Sequence, residues 1–179
     1  MKNVIIIGNG PAGVSAALYT ARANIHTTII GKDIGALDKA SSIENYYGLS
    51  KPISGKELVL IGINQAKAVG ANFIEDEVVG IGYEDKFVVK TKNQLYKADA
   101  LVISTGVQRA EPKIKGLEEY KGKGIKYSAS CDAFFYKGKD VAVLGGQNYA
   151  LNEAKELLPI AKSVTLLTNG GPPTIEIPK

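Results

Sequence analysis

The sequence predicts an α/β fold with two βαβ units of the nucleotide-binding type, the first carrying an inserted β-meander. Two short β-branched runs, at residues 4–7 and 140–144, are each followed by a glycine-rich turn and a segment of helical spacing. Between these units, residues 72–104 change to short apolar runs interrupted by polar residues, as is typical of strands. One βαβ unit cannot cover its own sheet, so we expect the second domain to be incomplete.

The composition is that of an ordinary globular chain with a buried core. Of its 179 residues, 45% are hydrophobic, and the formal net charge is +4. This mild, dispersed charge favours acidic protein partners slightly and gives no indication of nucleic-acid binding. Cys131 is the only cysteine, which excludes an internal disulfide framework and is typical of a reducing compartment such as the cytoplasm. We expect neither a signal peptide nor a membrane span, because no apolar run is long enough.

The first glycine-rich turn, Gly8-Asn9-Gly10-Pro11-Ala12-Gly13, has the G-x-G-x-x-G pattern between a predicted strand and a predicted helix. Gly8 permits the tight turn, Gly10 lets a pyrophosphate approach the backbone, and Gly13 lets helix and strand pack closely. Free N–H groups and the helix dipole then face the anion, and Pro11 suits a helix start that needs no amide donor. The sequence therefore predicts a dinucleotide site at Gly8, Gly10, Pro11, Ala12 and Gly13. The alternative is a tight turn that binds nothing.

The rest of the first unit supplies a second strand, a long loop and a helix. Residues 27–30 are the predicted strand, and Asp33 follows it as the candidate ribose-binding acid, with a solvated loop acid as an equal alternative. His26, the only histidine, is interpreted as a surface residue. The glycine-rich and polar loop at residues 31–54 is long for a compact domain, and such loops are often functional. Residues 55–69 have helical spacing.

The following strands are short. Residues 73–74, 78–81, 87–91 and 95–96 predict an antiparallel meander grafted on the sheet, and residues 100–103 predict a further strand. Residues 106–116, with a proline and two lysines, are the predicted linker, which gives predicted domains at 1–110 and 117–179. In the second domain, strands at 140–144 and 163–167 flank a predicted helix at 150–161.

Five segments occur in the order found in the low-molecular-weight thioredoxin reductases, and the chain resembles that family over essentially its whole length. They are the two glycine-rich turns, the loop ending Glu44-Asn45-Tyr46-Tyr47-Gly48, Ser104-Thr105-Gly106, and Tyr127-Ser128-Ala129-Ser130-Cys131-Asp132. The resemblance implies a homodimeric flavoprotein whose Rossmann-like FAD-binding domain is interrupted by a pyridine-nucleotide domain with a C-A-x-C redox pair. It also implies that the first turn holds the FAD pyrophosphate, and it adds cofactor contacts at Gly35, Leu37, Asn45, Thr105 and Gly106.

The redox motif departs from the family pattern. By the matching positions, Ser128 replaces the outer cysteine that attacks the substrate, Cys131 is the flavin-facing cysteine, and Asp132 is the candidate proton carrier. A serine cannot form a disulfide, so this chain cannot complete dithiol exchange by the family's route. Ser128 is either a natural change or an introduced one that traps a state. The alternatives are a turn-capping role for Asp132 and an inert buried thiol at Cys131.

The second glycine-rich turn also departs from the family pattern. Gln147 stands where the dinucleotide pattern has its second glycine, and a side chain there obstructs a pyrophosphate. After the next strand, residues 168–171 offer neither an arginine for a 2′-phosphate nor an acid for a ribose hydroxyl. We therefore expect poor NADPH binding, and the chain is similar to the branch of the family that takes electrons from ferredoxin. The family's later Gly-Asp flavin motif has no counterpart here, so we expect a fragment or one of two chains.

The resemblance thus implies an FAD-dependent disulfide oxidoreductase that passes electrons from ferredoxin, through the flavin, to Cys131 and a thioredoxin-like protein. One alternative is an NADPH-dependent thioredoxin reductase with an atypical nucleotide site. The other is a non-catalytic flavin-binding or scaffold protein, which Ser128 favours and the Cys131-Asp132 pair disfavours.

Overall fold

The computed structural model describes residues 2–107 and 112–174, apart from the side chain of Cys131. The chain divides into two compact units, Met1–Glu111 and Pro112–Lys179. Each unit is built around its own parallel sheet. The predicted fold class, a Rossmann-like α/β domain with an inserted meander followed by a small βαβ unit, is confirmed.

The first unit is built on a four-stranded parallel sheet with the order β3-β2-β1-β7. Its strands are β1 (Asn3–Ile7), β2 (His26–Gly31), β3 (Asn72–Glu75) and β7 (Ala100–Ile103). In the shared register Ile6 lies between Ile29 and Val102. The strand order reverses at β1, which has β2 on one side and β7 on the other, so the carboxyl ends of these strands meet at a topological switch point.

Two hydrophobic clusters cover the two faces of this sheet, because successive residues of β1 point to opposite sides. Val4 and Ile6 face the helices α1 (Pro11–Arg22) and α2 (Gly55–Ala68), in a cluster with Ile29. Ile5 and Ile7 face the opposite way, in a cluster with Ile30, Val89 and Ala98 from the meander. Full burial of an isoleucine such as Ile6 stabilises the fold by about 1.5–3 kcal/mol.

Both long helices begin where the sequence indicates. Pro11 occupies the first turn of α1, where no amide hydrogen is needed. Ser54 caps α2, and its hydroxyl accepts a hydrogen bond from the backbone N–H of Glu57 at 3.1 Å. No helix within residues 2–107 or 112–174 is long and apolar enough to cross a membrane.

The meander contains three antiparallel strands: β4 (Val78–Tyr83), β5 (Phe87–Thr91) and β6 (Leu95–Ala98). The run at residues 73–74, predicted as its first strand, belongs instead to the main sheet, where β3 pairs parallel with β2. The reason is topological: α2 crosses the sheet and returns the chain beside β2, so the next strand continues the parallel layer.

The second unit contains a two-stranded parallel sheet of β8 (Asp140–Leu144) and β9 (Ser163–Leu167), joined by α5 (Asn148–Leu157). Residues along both strands alternate between exposed and half-buried, so one face of the sheet packs on α5 and the other is open. Helix α5 ends before the predicted residue 161. Leu158 still has helical backbone, but Pro159 has no N–H with which to continue the helical hydrogen bonds. Two short helices, α3 (Leu117–Tyr120) and α4 (Ala129–Asp132), and a 3-10 helix (Ala133–Tyr136) precede β8.

Candidate functional site

The first glycine-rich turn lies at the carboxyl end of β1, and each of its three glycines has a different surrounding. Gly8 has a φ of +107°, and a Cβ added there would lie 2.3 Å from the carbonyl oxygen of Ser104. A Cβ at Gly13 would lie 1.9 Å from the carbonyl oxygen of Gly8. At Gly10, by contrast, an added Cβ would meet no atom within 4 Å. The first and third glycines are therefore required for packing, whereas the second leaves open space above the backbone.

Ser104, at the end of β7, braces this turn. Its backbone N–H donates to the carbonyl oxygen of Ile7 at 2.8 Å. Its hydroxyl lies 2.9 Å from the Ile7 oxygen and 3.1 Å from the Gly8 oxygen. The sequence indicated Ser104 only through the family resemblance. Its bracing role depends on contacts between residues 97 positions apart, which no local pattern reports.

The amino end of α1 fits an anion. The first intrahelical hydrogen bond runs from the Val14 N–H to the Gly10 carbonyl oxygen, and no side chain caps the helix at Gly10. Pro11 has no N–H, so the amides of Ala12 and Gly13 precede the helical hydrogen bonds and lack intrahelical acceptors. These donors, the helix dipole and the open approach at Gly10 together form a cradle suited to a pyrophosphate.

The other predicted cofactor contacts in the first unit lie on exposed or half-buried loops. Asp33 lies two residues after the end of β2, and its Oδ1 accepts the backbone N–H of Gly35 at 2.8 Å. Asp33 is therefore an acceptor in a local turn, and its second carboxylate oxygen remains for another donor. Leu37 is half-buried in a 3-10 helix, Ala36–Lys39, whose backbone packs against the start of α2. Asn45 and Thr105 are exposed. Gly106 adopts a φ of +68°.

The second glycine-rich turn, at the carboxyl end of β8, is covered by a later part of the chain. The backbone N–H of Thr174 donates to the carbonyl oxygen of Gly146 at 2.7 Å, and Gln147 and Thr174 form a parallel bridge. A Cβ added at Gly145 would lie 2.7 Å from the Cβ of Ala150, so this glycine and Ala150 set the close approach of α5 to its strand. The turn therefore has the shape of a nucleotide turn, with Gln147 and Thr174 in the position where a pyrophosphate would approach.

The residues predicted to carry the redox chemistry lie on one segment of the second unit, residues 127–132, which we call the redox segment. Ser128 precedes α4 as its N-cap residue, and Asp132 ends α4. Asp132 forms an ion pair with Lys126 at 3.3 Å, and both side chains are largely buried. Beside this pair, burial and then the charge of Asp132 raise the pKa of Tyr136. The Asp132 carboxylate is thus held by a cation rather than used as a turn cap.

Three side chains that the sequence did not single out hold the redox segment on α5. They are Tyr149, Glu153 and Glu156, which contact Tyr127, Ala129 and Ser130 respectively. Their spacing of four and three residues places them on one helix face. This polar periodicity is the only feature of the sequence that could have indicated their contact with the redox segment. A polar helix face is ordinary in solvent, however, so the spacing alone did not indicate a contact.

Comparison with known families places residues 2–174 within one family model, described as pyridine nucleotide-disulphide oxidoreductase. The chain is 39% identical over 172 residues to thioredoxin reductase of Streptomyces coelicolor, and 38% identical over 172 residues to that of Aquifex aeolicus. These matches cover 93% and 94% of this chain and 53% of each relative. The chain therefore spans about half the length of the curated relatives it matches.

Solved structures agree with this similarity. The chain superimposes on thioredoxin reductase of Streptococcus pyogenes with a TM-score of 0.88 and 34% identity, covering 98% of this chain and 58% of that one. Thioredoxin reductase of Giardia duodenalis gives a TM-score of 0.92 at 31% identity, with 97% and 58% coverage. An atypical thioredoxin reductase from Desulfovibrio vulgaris Hildenborough is 39% identical, with a TM-score of 0.58 and coverage of 98% and 60%.

Proposed function

Because the chain belongs to the pyridine nucleotide-disulphide oxidoreductase family, we propose that it is an FAD-dependent disulfide oxidoreductase of the thioredoxin reductase type. The observation that carries the proposal is the first glycine-rich turn, whose braced backbone and open Gly10 fit the pyrophosphate of a dinucleotide. The similarity to thioredoxin reductases over most of this chain supports the same activity.

FAD is the cofactor of this family. When bound, it would supply two-electron transfer between an electron donor and a disulfide. The amides of Ala12 and Gly13 would bind its pyrophosphate, and the second oxygen of Asp33 would accept from a ribose hydroxyl. Contacts from Gly35, Leu37, Asn45, Thr105 and Gly106 remain predictions that follow from the family resemblance.

Cys131 is the proposed reacting thiol. As a thiolate it would attack a substrate disulfide, forming one new S–S bond while the second substrate sulfur leaves and takes a proton. Asp132, paired with Lys126, is the proposed carrier of that proton. Ser128 cannot resolve the mixed disulfide, so the chain as written would hold its substrate rather than release it.

A thioredoxin-like protein is the proposed substrate, and ferredoxin is the proposed electron donor. Gln147 and the Thr174–Gly146 hydrogen bond both disfavour NADPH binding at the second turn, and this supports a protein as the electron donor. The second candidate is NADPH, favoured by the family's association with pyridine nucleotides. We further propose a homodimer in the cytoplasm, on the grounds of the resemblance and of the single cysteine.

A flavin and donor experiment tests these proposals. The purified chain should bind FAD in preference to FMN, and a chain that takes up neither would contradict the cofactor assignment. Reduced ferredoxin should bleach the flavin absorption under anaerobic conditions, whereas excess NADPH should not. Fast bleaching by NADPH would show that NADPH is the electron donor instead. Docking of an acidic ferredoxin should weaken at high salt.

Replacing Ser128 tests the redox segment. Ser128→Cys supplies a second thiol three residues from Cys131 and should restore turnover with thioredoxin, while the unchanged chain should form only a mixed disulfide. Ser130→Cys is the matched control, because it adds a thiol at a position that the family pattern does not use. If Ser128→Cys forms no disulfide and shows no turnover, the redox proposal fails and the scaffold alternative gains support.

A further inference from the structure

Strand β2 ends at Gly31, so the end of this strand carries no side chain for a ribose. In dinucleotide-binding βαβ units, an acid about twenty residues after the glycines binds the ribose 2′-hydroxyl, at the end of the second strand. Asp33 lies two residues further on, and one of its oxygens already accepts the backbone N–H of Gly35 at 2.8 Å. The place of the strand-end acid is therefore left to another residue.

The side chain of Asn9 fills this place. A Cβ added at Gly31 would lie 2.5 Å from Cγ of Asn9, 2.6 Å from its Oδ1 and 2.9 Å from its Nδ2. Apart from the residues adjacent to Gly31, these amide atoms are the nearest to that position, so the Asn9 amide lies directly against the strand end. A side chain at residue 31 and the amide in its present position exclude each other.

The backbone on either side of the turn holds Asn9 at this point. The N–H of Gly8 donates to the carbonyl oxygen of Ile30 at 2.8 Å, which ties the turn to the end of β2. The hydroxyl of Ser104 holds the same turn from β7, at 3.1 Å from the Gly8 carbonyl oxygen. Asn9 follows Gly8 directly, so its position beside Gly31 is set by both neighbouring strands of β1.

The amide group of Asn9 is available to a ligand. Asn9 is half-buried, and its side chain forms no hydrogen bond within residues 2–107 and 112–174. It directly precedes Gly10, whose open side is the approach for a pyrophosphate. A side-chain amide offers two N–H donors and one carbonyl acceptor, and a ribose hydroxyl can pair with either kind. Unlike a carboxylate, it places no negative charge beside the pyrophosphate.

We propose that Asn9 replaces the strand-end acid and binds the ribose 2′-hydroxyl in the adenosine half of the dinucleotide. This inference rests on the proposed function, because it takes the first glycine-rich turn as a dinucleotide site. The 2′-hydroxyl is assigned to Asn9 because its amide lies where the acid otherwise lies, which leaves the other hydroxyl to Asp33. Gly31 is then required for recognition, since a side chain there would displace the Asn9 amide.

Calorimetric titration of the whole chain, freed of any bound flavin, with ADP and with 2′-deoxy-ADP tests the proposal. The two ligands share the adenine and the pyrophosphate, so the ratio of their dissociation constants reports on the 2′-hydroxyl. The unchanged chain should bind ADP about three- to tenfold more tightly, which is the effect of one hydrogen bond. Asn9→Ala should abolish this preference and leave the affinity for 2′-deoxy-ADP nearly unchanged. A preference that survives in Asn9→Ala would overturn the proposal.

Gly31→Ala tests the same contact without removing the amide. The added Cβ should push the Asn9 side chain aside, so the preference for ADP should be lost here too. Combining Asn9→Ala with Gly31→Ala should have no further effect on the preference, because both changes act on one contact. Urea unfolding gives a readout without ligand: Gly31→Ala should cost less stability in the Asn9→Ala background than in the unchanged chain. Equal costs in the two backgrounds would contradict the contact on which the proposal depends.

Two control variants match these substitutions. Asn64→Ala shortens an exposed asparagine of α2, and Gly82→Ala adds a methyl group in β4 where no atom lies within 4 Å. Neither variant should change the preference for ADP.

Uptake of FAD by the unchanged chain is measured separately, so the two proposals can fail independently. A chain that takes up FAD and keeps its preference for ADP in Asn9→Ala would refute only the role of Asn9. A chain that prefers ADP through Asn9 but takes up no FAD would refute only the FAD assignment. A chain that binds neither ligand would refute both.

Discussion

Gly10 and Gly13 lie on the same turn, yet a methyl group added at each meets different surroundings. Gly13→Ala would place its Cβ 1.9 Å from the Gly8 carbonyl oxygen, so we expect the free energy of unfolding to fall by about 1–3 kcal/mol. Gly10→Ala meets no atom within 4 Å at an ordinary φ of −72°, so its stability should change by less than about 1 kcal/mol. The Gly10 variant should instead lose FAD affinity. Urea unfolding and flavin titration measure both, and a Gly10→Ala variant less stable than Gly13→Ala would contradict the geometry.

The pKa of a second residue, Asp76, predicts how the stability of the fold depends on pH. Burial raises the pKa of this acid, but hydrogen bonds from Thr91, the Glu77 backbone N–H and Asn93 outweigh burial and leave the pKa below its ordinary value of 3.8. A depressed pKa in the folded state means that the carboxylate stabilises the fold above pH 3.8, and that this contribution is lost as the pH falls through the folded-state pKa.

Asp76→Asn should therefore destabilise the chain at neutral pH, and its difference from wild type should shrink below pH 3.8. Urea unfolding at a series of pH values measures this difference. The exposed Asp38→Asn is the control. A difference that stays constant across the acid range would show that Asp76 stabilises the fold without its charge.

At the scale of the element, the start of α2 is the best test of local sequence signals. Ser54 and Glu57 have capping-box spacing, and the Ser54 hydroxyl accepts the Glu57 N–H. Ser54→Ala should lower the free energy of unfolding by about 1 kcal/mol, whereas Ser54→Asp should retain most of the stability. The exposed Ser50→Ala serves as the control in thermal or urea unfolding. Equal stability of Ser54→Ala and wild type would mean that packing alone fixes this helix end.

The elements that the sequence predicted well are those with local signals. Strands β1, β2, β8 and β9 and helices α1 and α2 were placed to within a few residues, because β-branched runs, Pro11 and Ser54 act locally. The pairing of β3 was wrong, because two apolar residues fit either a meander or a parallel sheet and only the path of α2 decides. Helix α4 was not predicted, since its first amide finds its acceptor on α5 rather than nearby in sequence.

At the scale of the whole molecule, the two units differ in how much of each sheet is covered. The central strands of the first unit are buried on both faces, whereas β8 and β9 form a two-stranded sheet with one open face, on which Leu144 and Leu167 are exposed. Amides of β8 and β9 should therefore exchange with solvent faster than those of β1 and β2, by about tenfold or more. Hydrogen exchange with mass spectrometry measures this. Slower exchange in the second unit would mean that something covers its open face.

The difference between local and long-range contacts explains how much of the site could be predicted from the sequence. The first turn was located from six residues, because the G-x-G-x-x-G spacing lies within one strand–turn–helix unit. Its brace by Ser104 was not predicted, because that contact joins distant parts of the sheet. The redox segment was recognised by resemblance alone, and its attachment to α5 needed the structure.

The hydrogen bond from Thr174 to Gly146 has a thermodynamic consequence for any nucleotide at the second turn. If a nucleotide needs the space that Thr174 occupies, it binds only molecules in which this contact is broken. Its apparent dissociation constant is then the intrinsic one divided by the open fraction. If the closed arrangement is favoured tenfold, affinity falls by about the same factor, even when every contact with the nucleotide is intact. Discrimination against pyridine nucleotides then comes from the equilibrium between the closed and open arrangements of the unliganded protein. Substitutions that favour the open arrangement would increase nucleotide affinity even though the substituted residues do not contact the ligand.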